Sequence, residues 1–265
     1  MEKQILYVKN LNELLTLLKN NPGTQIIGGG TALESLPQKS VSTRTIPELC
    51  QVNRHERYIV VGPGATLSDI LEIGENHLPQ IITQAIKSIS NPEIRNISTI
   101  GGNICSQNHR STLYAPLLAL DAKIEYKSFT ETKSISIRSF DQIPKGFVLS
   151  NIKIPLQDSD LSIFRRIGPE NRLTQDSASY AFMASIEKNS LISVEMAFAG
   201  PIEFQSDELE NFLIGKKLPL NQRNIEEIQE IVWHEFQKAI TDQMISNEMI
   251  EQFLNLSRYS FEQLT

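Results

Sequence analysis

Five of the chain's thirteen glycines stand in two tight clusters, Gly28-Gly29-Gly30 and Gly101-Gly102. The first, continuing into Thr31, follows Gln25-Ile26-Ile27, which reads as a short buried strand. Glycine reaches positive φ at no steric cost and lets a ligand approach the backbone closely. Successive exposed N–H groups in such a turn form an anion nest, and a helix starting after it adds its dipole. That chemistry suits a phosphate or pyrophosphate. Two common phosphate motifs are excluded. GxxxxGK[ST] is absent, and Gly28-x-Gly30-x-x-Leu33 lacks the third glycine of the dinucleotide fingerprint. Either cluster alone also reads as a tight structural turn. Two of them, each flanked by short polar side chains, leave the structural and the ligand-binding readings both open.

The remaining pattern is that of alternating helices and strands. Asn10 with Glu13 predicts a capping box before the apolar face Leu11, Leu14, Leu15 and Leu18, and Asn20-Asn21-Pro22-Gly23 ends that helix. A short helical segment is expected after Thr31. Tyr58–Val61 reads as a strand, and Thr66 to Asp69 as the capping box of a helix through Ile73. Pro79 and Pro92 bracket a further helix. Thr99–Asn103 reads as a second glycine turn, and Ser111 or Thr112 as the cap of an apolar helix Leu113–Leu120. Asp121–Tyr126 has strand character and Ile152–Pro155 looks like a strand end. Beyond Pro155, Ile192–Gly200 alternates as a strand does, Ile225 to Ile240 recurs at helical spacing, and Met249 to Leu254 suggests a last helix. A domain boundary is expected near residues 155–160.

Charge and special residues narrow the function classes. The formal net charge of −6 and the scattered lysines and arginines do not form the basic footprint of a nucleic-acid binder. Ile5–Val8 is too short for a signal-peptide core, and no apolar run approaches the roughly 18 residues of a membrane span. A soluble, cytoplasmic protein is expected, with neither nucleic acid nor membrane as partner. Cys50 and Cys105 alone cannot ligate an iron–sulfur cluster. The four histidines lack metal spacing such as HExxH. No catalytic triad or carboxylate pair is evident, as expected where a cofactor carries the chemistry.

Several segments together resemble one family. Ile26 to Leu33 is similar to the "aGGTdL" turn of the FAD-binding medium subunits of molybdenum hydroxylases, the family of xanthine dehydrogenase and aerobic carbon monoxide dehydrogenase. Ile94-Arg95-Asn96-Ile97-Ser98-Thr99-Ile100-Gly101-Gly102-Asn103-Ile104 resembles its "iRNxgTiGGNi" segment, and Pro116 to Ala122 its "PxLlALdA". Val61 to Thr66 is similar to "iGAxvt" and Ile152 to Pro155 to "IxIP". Phe164-Arg165-Arg166 through Asp176-Ser177-Ala178 resembles the start of the family's C-terminal domain. The matches run in the right order over nearly the whole chain.

The resemblance implies an α+β fold: a two-subdomain, PCMH/vanillyl-alcohol-oxidase-like FAD-binding module over residues 1–157 (subdomains about 1–55 and 56–157), then a smaller α+β domain over 158–265. It implies FAD, with its pyrophosphate on Ile27, Gly28, Gly29, Gly30, Thr31 and Ala32. Thr99, Gly101, Gly102, Asn103 and Ser106 would line the other side, and Thr112, Leu149 and Arg165 match further cofactor positions. Implied partners are a 2Fe-2S subunit and a molybdopterin-binding subunit, with electrons passing through FAD to NAD or another acceptor. Ala32 and Thr112 stand where the family has polar or acidic residues, and Asn108-His109 replaces its "sP". A structural subunit with lost or weakened FAD binding is therefore the alternative reading.

Overall fold

The computed structural model describes residues 3–33, 35–106, 112–169, 174, 176–240 and 245–265. In chain order its elements are β1 (Gln4–Leu6), α1 (Leu11–Asn20), β2 (Gln25–Ile27), β3 (Lys39–Ser42), β4 (Val52–Arg54), β5 (Tyr58–Val61), α2 (Leu67–Leu71), α3 (Gln80–Lys87), α4 (Pro92–Arg95), α5 (Ile100–Ile104), α6 (Tyr114–Ala119), β6 (Lys123–Lys127), β7 (Thr132–Ser136) and β8 (Val148–Pro155). There follow β9 (Leu161–Ile167), β10 (Ala178–Glu187), β11 (Ser190–Ala199), β12 (Glu203–Phe204), α7 (Asp207–Leu213), α8 (Gln222–Ala239) and α9 (Asn247–Glu262). Among the described residues four single-turn 3-10 segments link them. The class is α+β, as the family resemblance implies. Among the described residues no helix is long and apolar enough to cross a membrane.

The described residues of Met1–Pro79, Ile89–Gln107 and Asp121–Leu156 form one compact unit, and those of Gln80–Ser88, Asn108–Leu120 and Gln157–Thr265 another. Two segments lying before residue 157 thus belong with the second unit, a division that the sequence pattern did not announce.

In the first unit, Asn10 accepts from the Glu13 N–H at 2.9 Å and opens α1 as expected. The return bond from Glu13 goes to the Lys9 N–H, one residue earlier than a standard box. Leu14 and Leu15 of α1 are buried with Val41, Ile46, Leu49 and Val148. β1, β3 and β2 form a parallel three-stranded sheet in that order. β4-β5-β8-β6-β7 form an antiparallel five-stranded sheet. Thr66 and Asp69 make the predicted reciprocal cap on α2.

The second unit is built on the antiparallel sheet β12-β11-β10-β9. One face packs on α8 and α9. Tyr180 meets Phe253 and Phe182 meets Phe261, both edge to face. Phe236 stacks on Phe253 with ring centroids 3.9 Å apart. Each such ring contributes about 1.5–3 kcal/mol of burial, and truncating Phe253 to alanine would cost about 3–5 kcal/mol. Ala181 and Met183, which alternate with Tyr180 and Phe182, are buried as well, and α6 packs on β10 and β11 while α3 packs on β9.

Two local expectations are corrected. Thr31 and Ala32 form a turn, and among the described residues no helix follows them before Pro37. The segment Thr99–Asn103 is not a free glycine turn: Ile100–Ile104 is a short helix, with Thr99 as its cap.

Candidate functional site

β2 runs parallel to β3 as far as Ile27, which pairs with Ser42 and is buried. The chain then leaves the sheet through the three glycines. Only Gly30 has a positive φ, +72°, and so needs glycine for its conformation. Gly28 and Gly29 are required for a different reason. A Cβ on Gly28 would overlap the Thr99 hydroxyl, and one on Gly29 would overlap the Ile97 carbonyl oxygen. The first glycine turn therefore lies directly on the segment leading into α5. A hydrogen bond of 2.8 Å between Thr31 Oγ1 and Ser98 Oγ ties the two together, and the turn closes through Leu33 N–H to the Gly30 carbonyl at 3.2 Å.

The backbone donors of this turn are open. Among the described residues nothing accepts from the N–H groups of Gly29, Gly30, Thr31 and Ala32. Gly29 and Gly30 are half-buried, and Thr31 and Ala32 are exposed. Four successive accessible donors with no protein acceptor can serve an anion.

The second cluster behaves in the opposite way. Ile100 N–H donates to the Ala65 carbonyl at 3.1 Å, Gly101 N–H to Pro63 O at 3.0 Å, Gly102 N–H to Thr99 Oγ1 at 3.1 Å and Asn103 N–H to Thr99 O at 3.0 Å. The donors at the start of α5 are spent inside the protein. Gly101 is a packing glycine, since a Cβ would come within 2.6 Å of Pro63. Gly102 is exposed, and a Cβ there would meet only Thr99 Oγ1, at 3.2 Å. Asn103 and Ser106, just inside and just beyond the end of α5, are half-buried.

The other predicted positions stand on or beside other elements. Leu149 is buried on β8 opposite Tyr126, next to a bulge in the β6–β8 pairing. The Glu125 carboxylate braces that bulge, accepting from Ser150 Oγ at 3.1 Å and Asn151 Nδ2 at 2.7 Å. Thr112 and Arg165 belong to the second unit. Thr112 is buried, and it does not cap α6, whose first flanking residue is Leu113 with no side-chain cap. Ser111 and His109 lie outside the described residues. Arg165 is exposed on β9, its guanidinium 5.9 Å from the Tyr259 ring and bonded to the Phe164 carbonyl at 2.8 Å. The structure thus brings the Gly28–Thr31 turn together with Ile97–Thr99, the segment that leads into Gly101 and Gly102. Sequence reasoning did not single out Ile97 and Ser98 as site residues, although they make the junction; their signal is their place in the Ile94–Ile104 run.

Residues 1–157 match a family model described as the FAD binding domain in molybdopterin dehydrogenase. The chain is 26% identical over 229 residues to a glyceraldehyde dehydrogenase medium chain of Sulfolobus acidocaldarius, covering 79% of this chain and 80% of that one. It is 24% identical over 249 residues to a xanthine dehydrogenase FAD-binding subunit of Escherichia coli O157:H7, covering 84% and 82%. In fold it is similar to a chain of quinoline 2-oxidoreductase from Pseudomonas putida 86, with TM-score 0.79 at 16% identity over 100% of this chain and 95% of that chain. It is similar also to a chain of carbon monoxide dehydrogenase from Hydrogenophaga pseudoflava, with TM-score 0.80 at 14% identity over 100% and 96%.

Proposed function

Because this chain belongs to the family of FAD binding domains in molybdopterin dehydrogenases, we propose that it is an oxidoreductase subunit that holds the pyrophosphate of FAD on the backbone of Gly29–Ala32. The observation that carries this reading is the run of four unspent N–H groups there. A pyrophosphate is an anion rich in acceptors, and a turn of free donors suits it. Ile27 and Gly28 set the turn at the end of β2. Thr99, Gly101, Gly102, Asn103 and Ser106 would flank the cofactor on the other side, with Gly102 presenting open backbone. Leu149, Thr112 and Arg165 are further cofactor positions that the family resemblance implies. Bound FAD supplies the redox chemistry; the protein's part is to hold it, and no residue of this chain is assigned as a catalytic acid or base.

In this reading electrons reach the flavin from a 2Fe-2S subunit beside a molybdopterin-binding subunit, and leave to NAD or another acceptor. The relatives' names, medium chain and FAD-binding subunit, support a subunit role. Residues 1–157 would be the FAD-binding part, with subdomains 1–55 and 56–157, and 158–265 the C-terminal domain. Ala32 favours a second reading, a structural subunit with weakened FAD binding, because its methyl group offers no hydrogen bond beside the nest.

The absorption spectrum of the purified chain decides between them. The proposal expects a flavin spectrum and about one FAD released per chain on acid treatment. A colourless protein that takes up no added FAD overturns it and leaves the structural subunit.

A further inference from the structure

We infer that Ser98 is a positioning residue for the phosphate groups of the bound cofactor, acting through Thr31; this rests on the FAD reading above. Ser98 is buried, and its backbone is held on both sides. Its N–H donates to the Ile94 carbonyl at 2.8 Å and its carbonyl accepts from Leu67 N–H at 2.9 Å. Thr31, its partner at 2.8 Å, sits in the exposed turn of free N–H groups. A fixed hydroxyl is thus bonded to one on the ligand-facing turn.

Proton counting shows what the pair can offer. Two hydroxyls carry two protons, and the bond between them uses one. If Ser98 donates, the Thr31 O–H is left to donate outward, from the same turn as the N–H groups of Gly29–Ala32. An anion on that turn selects this arrangement, a chain from Ser98 to Thr31 to the anion, in which each bond strengthens the next. The hydroxyl is a property of this chain. The segment pattern that residues 94–104 resemble carries glycine at the position of Ser98, so a member with glycine there has no such tether.

The test is a double-mutant cycle on the full chain, reading the FAD dissociation constant by flavin fluorescence and the thermal midpoint of each variant. Ser98→Ala is expected to weaken FAD binding about fivefold, the worth of one neutral hydrogen bond of about 1 kcal/mol. Ser98→Gly should lose as much, and keeps the test available should Ser98→Ala not fold. Because Ser98 acts through Thr31, the double variant with Thr31→Val should bind no worse than Thr31→Val alone. Additive losses, or tight binding retained in both Ser98 variants, overturn the role of Ser98 and leave the FAD reading standing. If the unaltered chain takes up no FAD, both fall together.

Discussion

Gly29 lies so close to Ile97 that one methyl group on its Cα would overlap the Ile97 carbonyl oxygen. The collision is with backbone, which cannot rotate aside. Gly29→Ala is therefore expected to destabilise the fold by about 1–3 kcal/mol, the usual range for overpacking, before any ligand is considered. Gly30→Ala meets open space but must hold φ at +72°, at about 1–2 kcal/mol. Thermal unfolding without flavin should show both losses. A Gly29→Ala protein as stable as the parent would mean the two segments do not touch.

Gly102 separates fold from ligand. Its missing Cβ meets only Thr99 Oγ1, at 3.2 Å, so Gly102→Ala presses on the cap atom that accepts its own N–H while gaining up to about 1 kcal/mol of helix propensity, and should move the thermal midpoint far less than Gly29→Ala does. Gly102→Val should lower FAD affinity at least about tenfold, or about 1.4 kcal/mol, while the protein stays folded. Equal affinity for FAD in both proteins, measured by titration, would show that the cofactor does not lie over α5.

Thr112→Asp is expected to lower stability. Thr112 is buried and does not cap α6, so the carboxylate would lose water without gaining the helix-capping bond that an exposed Ncap aspartate makes. A polar group buried without a partner costs about 1–3 kcal/mol in proteins. Urea unfolding at neutral pH measures it. A variant as stable as the parent would mean that the new carboxylate finds a donor, and the cofactor would then be the first place to look.

A pH effect is expected from the second unit. Glu235 Oε1 accepts from Lys238 at 2.6 Å and lies 3.1 Å from His234 Nδ1, and its Oε2 accepts from Ser206 at 2.9 Å. Burial pushes this carboxyl up, but the bonds from Lys238, Ser206 and His234 outweigh it and hold the group down at about 2. A carboxyl depressed on folding stabilises the fold above its ordinary value of 4.5, and that contribution is lost as pH falls from there toward about 2. Glu235→Gln should therefore unfold several degrees below the parent at pH 7, and the gap should close between pH 4.5 and 2. A gap that stays constant with pH would rule out this linkage.

What could be read beforehand was local. Asn10 with Glu13 and Thr66 with Asp69 announce their helices because a cap is made within four residues. Gly101 and Gly102 misled for the same reason. Glycine argues against helix locally, and α5 forms because Ala65 and Pro63, far back in sequence, accept its first N–H bonds. β10 escaped because both of its faces are covered: Tyr180, Ala181, Phe182 and Met183 are all buried, so no alternation of apolar and polar residues marks it. At the site, the clusters were legible as glycines, but not which cluster keeps its donors. That depends on tertiary acceptors that no motif records.

The membership of α3 and α6 in the second unit has a consequence for biosynthesis. Ile81, Ile82, Ile86, Leu117 and Leu118 are buried in the finished protein, yet the strands these helices cover, β9 to β11, leave the ribosome later. At about 5–20 residues per second, those apolar side chains wait on the order of ten seconds for their sheet. A nascent chain in that interval is a natural client for a holding chaperone. A messenger truncated after codon 157 would make the wait permanent, and its product is expected in the pellet after lysis, while the full chain stays in the supernatant.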